Sequence, residues 1–527
     1  MKLNYKRTIL VGFAFFLISA FWQAYDSTVS LLLTNKFGMS QTWSGVIMAL
    51  DNILALFMLP LFGTLSDKHK GKSGRRTPFI RFGTIVAAIV LIALSFIDNM
   101  QLKQLKAVSD FEDPASRITL YDSQANTKLM TPEGDHFVLS QKMSKEEFSM
   151  IFPTVREEND YKVEVKDQDG KTIKNADFTN YVLPAIQSYA AQVTKQNPMP
   201  LILFIAFLLM ILIAMATFRS PAVALMPDVT VKPLRSKANA IINLMGTAGG
   251  ILVLVLGIVF GTSSVKNSLM SYTLFYCVIA AVMIGALVIF LTKVKEKAWA
   301  AEMQEDSVRY GIEEEKTEQA GEKRRLSKSE AVSLILILAS VALWYFGYNA
   351  ITSKYSVYAP NVLQKDYNTT MLIAQGFAIV AYLPAGMVAS KIGRKKTILA
   401  GVLMLAAAFG AAAFMTPNSP TMLMNVLFAL AGVAWATINV NSFPMVVEMC
   451  SGADVGKYTG FYYTASMAAQ TVTPMLSGFL MDKMGMTVLF PYAAIFVALA
   501  FVTMFLVRHG DAKVEAKKGL DAFDTDD

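Results

Sequence analysis

The sequence predicts an all-α membrane protein: twelve transmembrane helices in two pseudo-repeated six-helix bundles, with a small strand-containing insert on the extracytoplasmic side. Three observations point there. The 527-residue chain is 54% hydrophobic and 17% charged, with a mean hydropathy of +0.43, more apolar surface than a soluble interior can hide. Charge-poor runs of about twenty residues recur, the length that crosses a hydrocarbon core. Lys and Arg gather in the short links between these runs, as in residues 63–81 (GTLSDKHKGKSGRRTPFIR) with Lys68, Lys70, Lys72, Arg75, Arg76 and Arg81. Such links stay in the cytoplasm.

These patterns divide the chain into helices one to three (1–97), an extracytoplasmic insert (98–197), helices four to six (198–292), a cytoplasmic linker (293–329), a second six-helix bundle (330–508) and a tail (509–527). An even helix number places both termini inside the plasma membrane. The net charge of +8 belongs to the links and not to one amphipathic face, which argues against nucleic acid as a partner. Two distant cysteines, Cys277 and Cys450, and three histidines support neither a disulfide framework nor a metal site. No nucleophile–base pair or phosphate loop stands out, so an enzyme is not expected, and neither is a cofactor.

Helix one is interrupted by Trp22, Gln23 and Asp26, which share a helical face. Helix two carries Asp51 and Asn52. A carboxylate at membrane depth is expensive, about 2.5 kcal/mol or more on insertion scales, and by default marks a substrate or ion path; the alternative is interhelical hydrogen bonding. The insert is polar, and YKVEVKDQDGKTIKN reads as a hairpin around Asp169-Gly170, with RITLYDS extended beside it. It is either a cap that docks a partner or a substrate-capturing element.

Helix four, about 200–218, leads into FRSPAVALMPDVTVKPLRSKANA, where Asp228 and Arg235 are placed to pair and Arg219 stands at the helix end, reaching a ligand or the interface. Helix five puts Asn239, Asn243, Gly246 and Gly250 on one stripe. Helix seven, about 331–351, carries Trp344, Tyr348 and Asn349, with Lys354 and Tyr355 beyond its outer end. An aromatic and amide face suits a sugar ring, whose C–H faces stack and whose hydroxyls bond; it suits an interfacial aromatic belt as well. Gln375 on helix eight, Trp435 and Asn439 on helix ten and Gln470 on helix eleven extend the polar set.

An internal repeat supports the two-bundle reading. Gly386 with Gly393-Arg394-Lys395 repeats, shortened, the logic of Gly63 with Gly74-Arg75-Arg76, with Ser390 standing where the first half has Asp67. SFPMVVEMCSGADVGKYTGF, with Glu448 and Lys457, echoes the stretch containing Asp228 and Arg235. Parallel halves of this kind place a substrate site near the midplane between them.

With these motifs in hand, the chain resembles the major facilitator superfamily over nearly all its length outside the insert. SDKHKGKSGRRTPFI, RSPAVALMPD with RSKANA, and AGVAWATINVNSFPMVVEM resemble its sucrose-type and glycoside-pentoside-hexuronide symporter branch. The resemblance implies a monomeric, cation-coupled sugar importer working by alternating access. The polar residues at depth, read from the sequence itself, make Asp26 and Asp51 proton-coupling candidates and Trp22, Gln23, Asp26, Asn52, Arg219, Asn243, Trp344, Tyr348, Asn349, Gln375, Trp435, Asn439 and Gln470 substrate candidates; Asp26 lies about two turns further outward than the family's helix-one sugar-binding carboxylate. Gating falls to Gly63, Asp67, Gly74, Arg75, Arg76, Asp228, Arg235, Gly393, Arg394, Glu448 and Lys457. The positions of the family's helix-two sodium carboxylates hold Ala55 and Leu59 here, which favours protons over sodium as the coupling ion. The rival expectations are a proton-coupled exporter or antiporter of small organic molecules, and a non-transporting sensor that uses the insert.

Overall fold

The computed structural model describes residues 3–71, 73–111, 113–151, 165–166, 172–173, 176–310, 327–447, 449 and 455–510. The first half holds α1 (Tyr5–Leu31), α2 (Gln41–Lys68) and α3 (Thr77–Gln104), then the insert, then α8 (Met199–Val229), α9 (Arg235–Phe260) and α10 (Thr273–Lys293). The insert contributes α4 (Pro114–Gln124), β1 (Lys128–Met130), β2 (His136–Val138), α5 (Leu139–Lys142), α6 (Lys145–Ser149), β3 (Val165–Lys166), β4 (Thr172–Ile173) and α7 (Leu183–Gln196). After α11 (Glu296–Arg309) come α12 (Lys328–Asn361), α13 (Tyr367–Ile392), α14 (Arg394–Ala412), α15 (Thr421–Val447), α16 (Val455–Met484) and α17 (Leu489–Leu506). The end of the bundle that carries the insert is the insert side; the opposite end, with the 69–76 link and α11, is the linker side.

Ten helices among the described residues are long and apolar enough to cross a membrane. An eleventh, α13, is bent by 47° where Pro384 removes a backbone donor. The twelfth, α16, is 30 residues long but carries Lys457, Asp482 and Lys483 among Thr, Ser, Gln and Tyr. Each half closes on its own apolar core: Leu17, Phe21, Leu208 and Phe218 are buried in the first, Val341, Trp344, Phe428 and Phe490 in the second.

Several elements run further than the sequence pattern indicates. Helix α8 continues through Pro221 and Pro227 to Val229, so Arg219 lies well inside it and not at its end. Helix α12 continues to Asn361, and Lys354 and Tyr355, expected beyond the membrane, are both fully buried within it. Helix α3 reaches Gln104, which puts Asp98 in the helix and not at the start of the insert.

Among its described residues the insert is mostly helical. RITLYDS, read as extended, lies in α4: Asp113 caps the helix by accepting from the Ala115 N–H, Pro114 opens it, and Ser116, Leu120, Tyr121 and Gln124 turn inward at helical spacing. That burial overrides the β-branched local preference. Antiparallel pairs β1–β2 and β3–β4 accompany the helices; β3–β4 is the expected hairpin, and its Asp169-Gly170 turn falls outside the described residues. The insert has a core of its own, with Leu105, Leu120, Phe148, Ile186 and Ala190 buried.

At the end of the first half that faces the insert, α1 finishes in a π turn, Leu32–Lys36. This turn brings Lys36 and Asp98 together as a fully buried ion pair at 2.5 Å. Lys36 also donates to the Met270 carbonyl and faces the Tyr272 ring at 4.6 Å, while Asp98 accepts from the Tyr272 N–H. Breaking one side of such a pair leaves an uncompensated buried charge, at a cost of about 3 kcal/mol, whereas replacing both partners with apolar groups is close to neutral. Asp98→Asn is therefore expected to lower the midpoint of heat unfolding in detergent by several degrees, and Lys36→Met with Asp98→Leu to restore most of it; equal losses in the two variants would show that the pair itself stabilises the bundle.

Candidate functional site

Between the halves lies a cavity of about 160 Å³, lined by α1 (Trp22, Tyr25, Asp26), α2 (Met48, Asp51, Asn52), α8 (Arg219), α12 (Asn349, Thr352, Ser353) and α16 (Gln470, Pro474). On α1, α2 and α12 the lining residues are spaced i, i+3, i+4, one helical face each. Asn52 donates to Asp51 at 2.8 Å, and the Arg219 guanidinium lies over the Trp22 ring at 5.5 Å. Trp22 Nε1, Tyr25 Oη and Asn349 Nδ2 have no protein partner. Buried polar groups without partners are uncommon, and three residues lining this cavity, two on α1 and one on α12, carry one each.

The cavity is roofed on the insert side by bonds between the halves. Asp482 of α16 accepts from the N–H groups of Gln41 and Thr42, both at 2.8 Å, so its carboxylate caps the positive end of α2. Lys354 of α12 donates to the Gln41 carbonyl at 2.7 Å. The two helices touch at glycine: a Cβ on Gly45 would meet the Pro474 carbonyl at 1.9 Å, and one on Gly478 the Gln41 carbonyl at 2.2 Å. Nearby, Gln375 donates to Gln23 at 2.7 Å, and the Tyr367 N–H donates to Ser263.

Of the substrate candidates, Trp22, Asp26, Asn52, Arg219, Asn349 and Gln470 thus meet in the cavity, with Asp51 beside them. The others do not line it. Gln23 and Gln375 bond to each other. Asn243 is exposed and donates to Asn239. Trp344 is fully buried in the second core, because Ile337, Val341, Trp344 and Ile351 form the inward stripe of α12. Tyr348 and Trp435 stack on each other at 3.6 Å and 4°, so each ring has one face covered, and Asn439 donates to Tyr382. Tyr25, Met48, Thr352 and Ser353 are lining residues that the sequence reading missed; helical phase relative to Trp22, Asp51 and Asn349 is the signal that points to them.

On the linker side, Arg75 holds Asp228 through two hydrogen bonds, at 3.1 and 2.6 Å; Arg76 reaches the same carboxylate at 2.8 Å and also pairs with Asp67. Arg235 does not pair with Asp228. The continuation of α8 to Val229 turns it back on that helix's last carbonyls, and it donates to Pro227 and Thr230. Gly63 allows close approach to Ser220, and Gly74 and Gly393 both take positive φ, +113° and +94°. In the second half Arg394 starts α14, its neighbour Lys395 donates to the Val507 and Phe505 carbonyls, and Lys457 lies over the Phe461 ring. Glu448 lies outside the described residues.

The residue that organises the 69–76 link is one the sequence reading passed over. Glu296, at the start of α11, accepts from the N–H groups of Arg75, Arg76 and Thr77 and from the Thr77 hydroxyl, all at 2.6–2.8 Å. A Cβ on Gly74 would sit 2.3 Å from its carboxylate. Its signal was the amphipathic stripe Glu296, Trp299, Met303 and Ser307, all buried, within a linker read for its charge alone.

Comparison with known proteins now decides the family. Residues 182–381 and 368–523 match the model of the Major Facilitator Superfamily, and residues 10–105 match that of the MFS/sugar transport proteins. The chain belongs to the major facilitator superfamily. Among curated relatives, the MFS-type transporter ppzB of Metarhizium rileyi (strain RCEF 4871) is 27% identical over 149 residues, and that of Metarhizium majus (strain ARSEF 297) is 26% identical over 141. These alignments span 28% and 27% of this chain and 30% of each relative. Among solved structures, the inward-open xylose transporter XylE from E. coli has a TM-score of 0.53 at 14% identity, covering 99% of both chains. A bacterial homologue of the human lysosomal transporter Spinster, inward-facing and occupied, has a TM-score of 0.55 at 12% identity, covering 96% of this chain and 97% of that one. At such identity the likeness is one of fold, and fold and family together are those of a membrane transporter and not of an enzyme.

The Glu296 cap is open to a direct test. Removing an acceptor shared by three backbone donors frees the start of α3 and the link before it, so Glu296→Ala is expected to raise the rate of trypsin cleavage within residues 68–76 about tenfold. Unchanged cleavage in linker-side-out vesicles would show that Arg75, Arg76 and Asp228 hold the link without it.

Proposed function

We propose that this superfamily member imports a sugar, a mono-, di- or oligosaccharide or a glycoside, by alternating access across the plasma membrane, coupled to protons. The observation that carries this reading is the cavity. Its walls combine two carboxylates, a guanidinium, amides and hydroxyls from both halves with Trp22 and Tyr25, and it holds three polar groups that no protein atom partners. A hydroxyl-rich ring offers acceptors to Trp22 Nε1 and Asn349 Nδ2, donors to Asp26 and Asp51, and an apolar face to the indole. A drug-type exporter cavity is mainly apolar by comparison.

In this reading the linker side faces the cytoplasm, as its Lys and Arg content favours, and the bonds on the insert side close the outer path. Asp26 or Asp51 carries the proton: protonation removes a charge from the cavity, which lets the halves rock around the bound sugar. The Arg75, Arg76, Asp67 and Asp228 cluster joins the 69–76 link to α8 within the first half, so it keeps that half rigid as it moves. A likeness in fold to a D-xylose–proton symporter (TM-score 0.54, 14% identity) is compatible with this chemistry and does not define the substrate.

The test is uptake in proteoliposomes of radiolabelled mono- and disaccharides under an inward proton gradient and, separately, an inward sodium gradient. Accumulation driven by protons and abolished by a protonophore is expected. Asp26→Asn or Asp51→Asn, whichever residue is the carrier, should lose accumulation more than tenfold while keeping sugar exchange. Normal accumulation in both variants would overturn proton carriage by these residues, and accumulation of no sugar under either gradient would overturn the substrate class.

A further inference from the structure

We infer that the insert is a working part of the insert-side gate: a strap, fixed to the first half, whose β1–β2 turn fastens onto the second half and must let go for that side to open. Its attachment to the first half is extensive. Gln187 of α7 donates to Asn35 at 2.9 Å, and Gln101 of α3 donates both to the Lys36 carbonyl at 2.8 Å and to Thr194 of α7 at 3.0 Å. Gly38, at φ +63°, leaves no room for a side chain; a Cβ there would lie 2.2 Å from the Ala191 nitrogen. With its own apolar core beneath these contacts, the insert moves with the first half.

Its reach across to the second half is narrow and made of backbone. The turn between β1 and β2 presents the Pro132 carbonyl to the Met486 N–H at 2.6 Å. Two glycines meet there, Gly134 at φ +103° and Gly485 at φ +90°. A Cβ on Gly134 would sit 2.5 Å from the Met484 carbonyl oxygen, and one on Gly485 would sit 2.5 Å from both the Glu133 carbonyl carbon and the Gly134 nitrogen. The obstacles are main-chain atoms, so no rotamer change relieves them, and the positive φ values are strained for any other residue. The contact exists because both sides lack a side chain.

The foothold lies at the end of α16, two to four residues beyond the Asp482 carboxylate that caps α2. Separating the halves at this end breaks the Asp482 cap, the Lys354 bond and the strap together. Between strap and gate lies a small pocket that includes Met39, Gln41, Pro132, Asn361 and Asp482, and in it Gln41 Oε1 and Asn361 Nδ2 have no partner. Polar groups left unpaired where the strap closes over the gate fit a joint that opens and rewets in each cycle. The inference concerns the insert and holds whatever the substrate is.

The experiment is amide hydrogen exchange followed by mass spectrometry on the full-length protein in nanodiscs, read at residues 40–45, whose Gln41 and Thr42 N–H groups are held by Asp482. It needs no substrate, so its failure is separate from failure of the sugar reading. Gly134→Val is expected to speed exchange there about fivefold, the effect of losing one net hydrogen bond and its packing from the closed state, while residues 183–196 of the insert stay protected. A second variant, Glu133→Cys with Met484→Cys in a Cys277→Ala, Cys450→Ala background, joined by a short bismaleimide, is expected to slow exchange at the same residues at least as much. Unchanged exchange in Gly134→Val with a protected insert overturns the proposal. So does a cross-linked protein that exchanges as fast as the uncross-linked one, and this second arm decides the matter if Gly134→Val unfolds the insert.

Discussion

A polar group inside a membrane bundle must find its partner inside the bundle, and that constraint shapes this molecule more than any single contact. The helices satisfy their own backbones. What remains are the side chains that the sequence places at depth: Asp26, Asp51, Arg219, Asn349 and Gln470 around the cavity, Lys36 with Asp98, and Lys354 and Asp482, each bonded to the Gln41 backbone, near the ends. Each set gathers where helices from different parts of the chain meet. Lys36 and Asp98 are matched wholly within the first half. The cavity residues and the Gln41–Asp482 contact span the two halves, so in the alternating-access reading proposed above these are the contacts that change.

The contrast between contacts within a half and contacts across the halves runs through the structure. On the linker side Glu296, Asp67 and Asp228 together neutralise Arg75 and Arg76 and cap α3, using atoms of the first half and the linker helix attached to it. On the insert side Asp482 performs the same kind of capping on α2, but from the other half. One carboxylate at a helix start ties parts of the same half together; the other ties the two halves to each other. Position relative to the boundary between the halves, and not the chemistry of the contact, separates the two.

Much of the architecture was legible in the sequence. Apolar run length gave the helices, basic links gave a candidate orientation, and the Gly63–Arg76 and Gly386–Lys395 motifs gave the repeat. Three kinds of feature were not legible. Proline reads as a stop, yet Pro221 and Pro227 lie inside α8, and that misplaced Arg219 and the expected partner of Arg235. Burial overrides local preference, so RITLYDS became helix, and Trp344 went to a core while its neighbour Asn349 went to the cavity. Partners distant in sequence leave no local trace, as with Glu296 on α3 or Asp482 on α2. The candidate cavity was legible where polar residues shared a helical face at depth, as Trp22 and Asp26 do, and not at Thr352 or Ser353, whose hydroxyls bond the Asn349 carbonyl of their own helix.

The glycines carry the same lesson in a form the sequence conceals. Gly45 and Gly478 let α2 and α16 touch backbone to backbone, and Gly134 and Gly485 do so between the insert and the end of α16. Contacts of this kind contain few atoms and no long side chains, so they close without fixing many rotamers and open without exposing much apolar surface. In the alternating-access reading proposed above, end states must differ little in free energy, and a boundary of close main-chain contacts and a few charge-assisted bonds is suited to that, where interdigitated leucines would hold one state too firmly. On that reading the small residues that make the boundary thin matter to the motion of the halves as much as the acids that line the cavity.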